Sequence, residues 1–271
     1  MAWRCFVQRF RLIGIVLALS LLAGCYPVRD TSHPPALRRL PAAQTPHRLV
    51  IVLPGIADNL DSLEAGGIGT ATRNAWPDAD VLLVEMTIGY YKDGKAVQAI
   101  HDLVRDGHRR GYRQVWLVGG SLGGMGALLY DATYPCDADG ILLLAPFLGD
   151  RQILGQVEDA GGLDRWSAPP AATPAPDNWQ AQIWRRAQEW SRHPGGDPRV
   201  WLAYGDHDKF ARNMPLLAPA VPPSHIVTGP GIHEWSSWTP LAAKAFVAIE
   251  SRRGEAKAPH EAEQAGACPT R

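Results

Sequence analysis

The feature that most constrains this chain of 271 residues is the pentapeptide Gly119-Gly120-Ser121-Leu122-Gly123. It follows directly on the apolar run Gln114-Val115-Trp116-Leu117-Val118 and leads into Met125-Gly126-Ala127-Leu128-Leu129. Strand, G-x-S-x-G, helix is the setting of a nucleophile elbow, a turn sharp enough to push one side chain out above a sheet. The residues two before and two after the serine approach each other closely there, so neither tolerates a Cβ, and both are glycine. At a helix N-terminus the serine also lies among backbone N–H groups that can bind a developing negative charge. A glycine-rich strand-to-helix turn with an incidental serine has the same local sequence. The rest of the chain has to decide.

Six short apolar runs rich in β-branched residues recur: Leu49–Leu53, Val81–Glu85, Val115–Val118, Ile141–Ala145, Val200–Tyr204 and His225–Thr228. Helix-compatible segments separate them. The clearest is Ala96 to Arg110, where Ala96, Val97, Ile100, Leu103 and Val104 share one face. Gly94 and Gly111 bracket that helix, and Asp93 is placed to cap it. Near-continuous apolar strands alternating with helices predict an α/β fold, with a mostly parallel sheet covered on both faces. Ligands in such sheets bind beyond the carboxyl ends of the strands. The connection from Ala145 to Val200 is much longer than the roughly dozen residues a crossover needs. It holds a proline-rich stretch, Pro169 to Pro176, and then a helical run from Asn178 to Arg192. Trp179, Ile183, Ala187 and Trp190 share a face of that run, with Trp184 alongside. This insertion, within 146–197, either packs its tryptophans on the sheet or forms a cap whose aromatics line an acyl pocket.

Serine is a poor nucleophile until a base takes its proton, and the base needs an acid group to orient it. Both follow Ser121, in the order Ser…Asp…His. Gly205-Asp206-His207-Asp208 comes after the fifth apolar run, and Gly229-Pro230-Gly231-Ile232-His233-Glu234-Trp235 after the sixth. On these motifs the chain resembles the α/β-hydrolase superfamily from Leu49 to Arg252. The resemblance implies a three-layer sandwich with a reduced sheet of about six strands and a small helical insertion before the penultimate one. It implies Ser121 as the nucleophile, Asp208 as the acid in a G-x-x-D pattern and His233 as the base in a G-x-H loop. Asp206 is the alternative acid, although directly after the turn it is better placed to bond within its own loop. The family's oxyanion hole uses the N–H after the nucleophile, here Leu122, and one from the loop after the first core strand. That loop reads Leu53-Pro54-Gly55-Ile56-Ala57-Asp58. Ile56 is the expected second donor, with Ala57 as its alternative. The chain departs from the family in carrying Pro54-Gly55 where His-Gly is common. Only a tether-like stretch precedes Leu49, so the family's first antiparallel strands are expected to be missing. His101, His108 and His193 read as surface groups, and His225 as part of its strand.

The ends read as lying outside the domain expected over 48–252. Arg4, Arg9 and Arg11 precede an apolar stretch, Leu12 to Ala23, that is shorter than the roughly 20 residues of a spanning helix but suits a signal peptide. It ends in Leu22-Ala23-Gly24-Cys25, which resembles the lipobox of bacterial lipoproteins. That implies a signal peptide over 1–24 and acyl chains, palmitate among them, on Cys25. Tyr26 stands where an aspartate favours inner-membrane retention, so the outer membrane facing the periplasm is expected. Residues 25–47, with five prolines after Tyr26, read as a partly extended tether. Residues 253–271 read as a polar, disordered tail. With Cys5 and Cys25 accounted for, Cys136 and Cys268 could pair in an oxidising compartment. No Cys-x-x-Cys or Cys/His spacing suggests a metal site.

A formal net charge of zero gives no case for nucleic acid, and no basic stripe with interleaved aromatics exists. The expectation is therefore a lipid-anchored serine esterase of the cell envelope that needs no cofactor and acts on a small-molecule ester. A thioesterase, an amidase or a lipase would use the same machinery. A non-catalytic envelope protein holding a lipid or a partner is the rival of a different class. A nucleotide-binding Rossmann protein is disfavoured, because Gly119 to Gly126 contain no G-x-G-x-x-G and no Walker lysine follows.

Overall fold

A computed structural model describes residues 31–167 and 178–256. Their centre is a seven-stranded sheet. The strands are β1 (Leu37–Leu40), β2 (Arg48–Leu53), β3 (Ala79–Val84), β4 (Gln114–Gly120), β5 (Gly140–Leu144), β6 (Val200–Gly205) and β7 (Ile226–Gly229). They lie in the order β1-β3-β2-β4-β5-β6-β7, all parallel except β1, which runs antiparallel to β3. The helices are α1 (Leu60–Ala65), α2 (Ile68–Ala75), α3 (Ile88–Lys92), α4 (Ala96–Arg109), α5 (Leu122–Thr133), α6 (Arg151–Asp159), α7 (Trp179–Ser191), α8 (Met214–Leu217) and α9 (Trp235–Ala256).

Strict alternation along the strands builds the layers. Leu49, Ile51 and Leu53 of β2, with Val115 and Leu117 of β4, face α4, α5 and α7 through Ile100, Val104, Met125, Ile183 and Trp184. Val50, Val52, Trp116 and Val118 face the other way, onto Leu63, Ile68, Trp76, Trp238 and Phe246 around α1, α2 and α9. A slip of one residue would exchange the two faces, so the hydrophobic pattern fixes the register. Both faces are covered, which explains why the strands read as continuous apolar runs rather than as half-polar ones.

The connection after β2 runs over one face to β3, whereas the connection after β4 runs over the other face to β5. The gap between the carboxyl ends of β2 and β4 is thus the topological switch point, where open α/β sheets bind ligands. Leu53 of β2 pairs with Gly119 of β4 at its rim.

Four expectations are corrected. The sheet has seven strands, because Leu37–Leu40, inside the stretch read as tether, adds one antiparallel edge strand. Its two inner residues are Arg38 and Arg39. Arg38 pairs with Asp61 (2.8 Å) and Glu64, and Arg39 pairs with Asp80 (3.0 Å). Charged side chains are a normal way to blunt an exposed sheet edge. Asp93 does not cap α4. The chain forms the extra short helix α3, Asp93 closes its C-terminus, and Lys95 takes the N-cap position of α4. His225 precedes β7 in a 3₁₀ turn, buried, with its ring stacked on Trp201 at 4.0 Å. Cys136 is disulfide-bonded, and Cys268 lies outside the described residues, as do Cys25 and the stretch read as a signal peptide. The last helix continues past 252, into the stretch read as tail.

Candidate active site

The elbow forms as its glycines require. A Cβ on Gly119 would lie 2.3 Å from the Gly123 carbonyl oxygen, and one on Gly123 would lie 2.2 Å from that of Leu53. Both contacts are with backbone, which cannot move aside. Ser121 itself has φ 50° and ψ −108°, a strained conformation for a residue with a side chain. Neighbouring hydrogen bonds hold it there. Its N–H donates to the Leu144 carbonyl and its own carbonyl accepts from the Phe147 N–H, each at 2.9 Å. Leu122, the first residue of α5, carries an N–H that the helix cannot satisfy from within.

The loops after β6 and β7 press together beside it. A Cβ on Gly205 would meet the Gly231 carbonyl oxygen at 2.2 Å. From these loops come Asp208 and His233. His233 Nδ1 lies 2.7 Å from Asp208 Oδ1, and its Nε2 lies 2.9 Å from Ser121 Oγ. A carboxylate only accepts, so Nδ1 carries the hydrogen and Nε2 is left to accept from the serine hydroxyl. The other carboxylate oxygen accepts from the Trp238 indole (3.0 Å), and the Phe210 N–H donates to Oδ1 (2.9 Å). The Asp208 side chain is fully buried. Burial alone would raise its pKa, but the bonds from His233, Phe210 and Trp238 outweigh it and hold the carboxyl below its usual range. The imidazole ring is clamped edge-on between Phe210 and Trp238, each centroid 4.6 Å away.

Asp206 sits elsewhere. Its side chain is 56% exposed and accepts from the Gly231 N–H at 3.2 Å, tying the two loops together. The structure thus brings Ser121, His233 and Asp208 into one hydrogen-bonded line and leaves Asp206 outside it. A hydroxyl on a neutral imidazole that is itself held by a carboxylate can lose its proton as the oxygen attacks an electrophile.

The loop after β2 lies against the serine, since a Cβ on Gly55 would be 3.8 Å from Ser121 Cβ. Asp58 holds this loop. One oxygen accepts from the Gly55 N–H (2.7 Å) and the Trp235 indole (2.8 Å), and the other from the Ser62 hydroxyl (3.2 Å). The Gly55 N–H is therefore committed, and the next residue along is Ile56, whose side chain is half exposed at the site's rim.

Sequence reasoning missed Asp58, Phe210, Trp235 and Trp238. The two tryptophans did carry a signal, standing one helical turn apart directly after the histidine loop. In α7, Trp184 and Trp190 are buried and donate to the Leu148 carbonyl and to Asp131, so these two are structural. Trp179 lines a cavity beside Leu122. His101 and His108 are partly buried rather than free on the surface. His101 stacks on Tyr134 at 3.9 Å, and His108 bonds the Asp137 carbonyl at 2.9 Å. Among the described residues, no group of three His, Cys, Asp or Glu side chains could hold a metal ion.

No family model and no curated protein sequence matches the chain. Solved structures do. Monoacylglycerol lipase of Paleococcus ferrophilus superposes with a TM-score of 0.54 at 15% identity, over 79% of this chain and 99% of that one. Est1E of Butyrivibrio proteoclasticus with bound ferulic acid gives 0.56 at 16%, over 82% and 96%. Fluorophosphonate-binding serine hydrolase F of Staphylococcus aureus gives 0.51 at 11%, over 79% and 98%. At these identities the likeness establishes the fold, which is that of the α/β-hydrolases.

Proposed function

We propose that this chain is a serine hydrolase of carboxylic esters working through an acyl-enzyme. The observation that carries the reading is the unbroken line Ser121 Oγ–His233–Asp208, at 2.9 Å and 2.7 Å, at the switch point of an α/β-hydrolase fold. Ser121 Oγ adds to the ester carbonyl while His233 Nε2 takes its proton. The Leu122 and Ile56 N–H groups bind the oxyanion. Collapse of the intermediate expels the alcohol, which leaves with the proton from Nε2, and the acyl group stays on Ser121. Water, deprotonated by the same nitrogen, then releases the carboxylic acid and restores the hydroxyl. Asp208 keeps the imidazole in the required tautomer and stabilises it when charged.

The reading is tested with Ser121→Ala on an ester panel that includes matched thioesters and amides. Turnover and fluorophosphonate labelling should both vanish, with kcat lower by about 10⁴–10⁶. A mutant that keeps its circular dichroism and more than about a tenth of wild-type activity would sink the assignment. Thioester or amide turnover well above that of matched esters would move the chain to a neighbouring class.

The same reading attaches the domain to an envelope membrane through acyl chains on Cys25, supported by Leu22-Ala23-Gly24-Cys25 alone. Two or three acyl chains anchor a protein stably where one does not. Intact mass of the membrane fraction should show an acylated chain beginning at Cys25. A Cys25→Ser protein still cleaved there and still in the membrane would refute it.

A further inference from the structure

A cavity of about 620 Å³ runs along α5, and Leu122, the residue that follows the nucleophile, is part of its lining. Its floor is one stripe of that helix, Leu122, Met125, Leu129 and Thr133, spaced to fall on a single face. Leu122 directly follows Ser121, so the near end of the stripe lies at the reacting centre. At a rise of about 1.5 Å per residue, the floor from Leu122 to Thr133 is about 16 Å long. Tyr91 of α3, Val97 of α4, Phe147 and Trp179 complete the lining. A row of aromatic rings joins it to the base. Trp179 packs on Phe147 (5.8 Å), Phe147 on Phe210 (5.7 Å), and Phe210 on the His233 ring.

We infer that this cavity holds the acyl group of the substrate, and that the substrate is an ester of an unbranched fatty acid of medium chain length. The inference rests on the hydrolase reading and adds to it what the acid half of the ester must be. Three observations carry it. The floor is long, and an extended chain of about a dozen carbons, advancing about 1.3 Å per zigzag bond of about 1.5 Å, spans most of it. The lining is mostly aliphatic and aromatic, with Gln98, Thr133 and Gln182 as its amide and hydroxyl members and Lys92 of α3 as its one charged side chain. The Tyr91 phenol, buried against Gly126 of α5, is pushed up by burial and stays neutral. An apolar chain gains by entering such a space, whereas a charged or short polar acid does not.

The cavity also explains an arrangement that the sheet does not need. A Cβ on Gly126 would lie 2.3 Å from the Tyr91 hydroxyl, so this glycine lets α3 close over the nucleophile helix. Without that approach the cavity would lack Tyr91 in its lining.

The test is a series of p-nitrophenyl esters from acetate to palmitate, with benzoate and cinnamate as bulky aromatic arms, assayed on the full chain in detergent. For the wild type, kcat/KM should rise by about two- to fourfold per added methylene to a maximum near eight to twelve carbons, then fall. Leu129→Trp fills the middle of the floor and should lower the dodecanoate-to-acetate ratio of kcat/KM at least about tenfold. Val97→Phe adds bulk from α4 at a partly exposed lining position and should lower the same ratio if the first variant does not fold. A wild-type maximum at acetate, a preference for the aromatic acids, or a ratio untouched by both variants would overturn the inference while leaving the hydrolase reading intact. No turnover of any ester and no fluorophosphonate labelling would overturn that reading, and the inference with it.

Discussion

Two aspartates two residues apart offer the sharpest test of the site. Asp208 receives three donors, from His233, the Phe210 backbone and the Trp238 indole. An asparagine there has only one oxygen. If that oxygen takes the place of Oδ1, the amide NH₂ faces the Trp238 indole, donor against donor. If the NH₂ takes that place instead, it faces the Phe210 N–H. It also forces His233 Nδ1 to accept, which leaves the hydrogen on Nε2, where the serine needs an acceptor. Either way a buried donor loses its partner, at a cost of about 1–3 kcal/mol of stability. The catalytic loss is larger. A wrong tautomer and an unstabilised imidazolium have cost about 10⁴ in kcat in a comparable triad, or about 5 kcal/mol of barrier. Asp206→Asn keeps an oxygen for the Gly231 N–H in an exposed loop, so kcat should stay within about threefold of wild type. Steady-state kinetics with urea melts on both variants separate the two roles. Adding Trp238→Phe to Asp208→Asn removes the clashing donor and lets the amide keep the correct tautomer. The double variant should therefore lose less than the product of the single losses. A collapse of kcat in Asp206→Asn, with Asp208→Asn near wild type, would refute the assignment, and strict additivity of the pair would refute the donor argument.

Three further variants test contacts elsewhere in the fold. Burial pushes the His225 imidazole from 6.5 down to about 4, so as pH falls the unfolded chain takes up this proton first. The stability His225 contributes by staying neutral is full above about pH 6.5 and is lost as pH falls towards 4. It is worth about 2–3 kcal/mol between pH 7 and pH 4.5. Urea melts of His225→Phe, which can still stack on Trp201, should show a shallower acid dependence by that amount; an unchanged slope would show that the imidazole is not held neutral. Gly123→Ala drives a Cβ into the Leu53 carbonyl and should cost about 1–3 kcal/mol along with most of the activity. Gly155→Ala in α6, which meets nothing within 4 Å, should instead stabilise by about 0.5–1 kcal/mol, and melting temperatures of the two decide whether the elbow contact is as tight as drawn.

What was legible in the sequence was what backbone sterics and periodicity dictate. Gly119 and Gly123 announced the elbow because no other residue fits against Gly123 and Leu53. The six apolar runs announced the parallel strands because both faces of the sheet are covered. The edge strand was hidden for the converse reason. Leu37-Arg38-Arg39-Leu40 meets solvent and ion pairs, and a four-residue charged strand has no periodic signature. Asp93 misled because helix caps depend on where the preceding element stops, and α3 could not be read from five residues. Trp238 stayed out of view because its partner, Asp208, is 30 residues away and only tertiary packing joins them.

The departure from His-Gly to Pro54-Gly55 in the loop after β2 is best understood in the same physical terms. An oxyanion hole needs a backbone N–H held still in the right place, not a particular side chain before the glycine. Proline supplies part of that stillness by fixing its own φ. Asp58 supplies the rest, because its carboxylate draws the Gly55 N–H inward at 2.7 Å and is itself anchored by the Trp235 indole at 2.8 Å, from the helix that follows His233. The two halves of the proposed chemistry are thereby tied to one helix. Trp238 holds the acid that orients the base, and Trp235, one turn earlier, holds the loop proposed to receive the oxyanion. Loosening α9 at its N-terminus should therefore disturb proton transfer and oxyanion binding together. That coupling explains why a tryptophan pair stands where a solvent-facing first turn would ordinarily be polar.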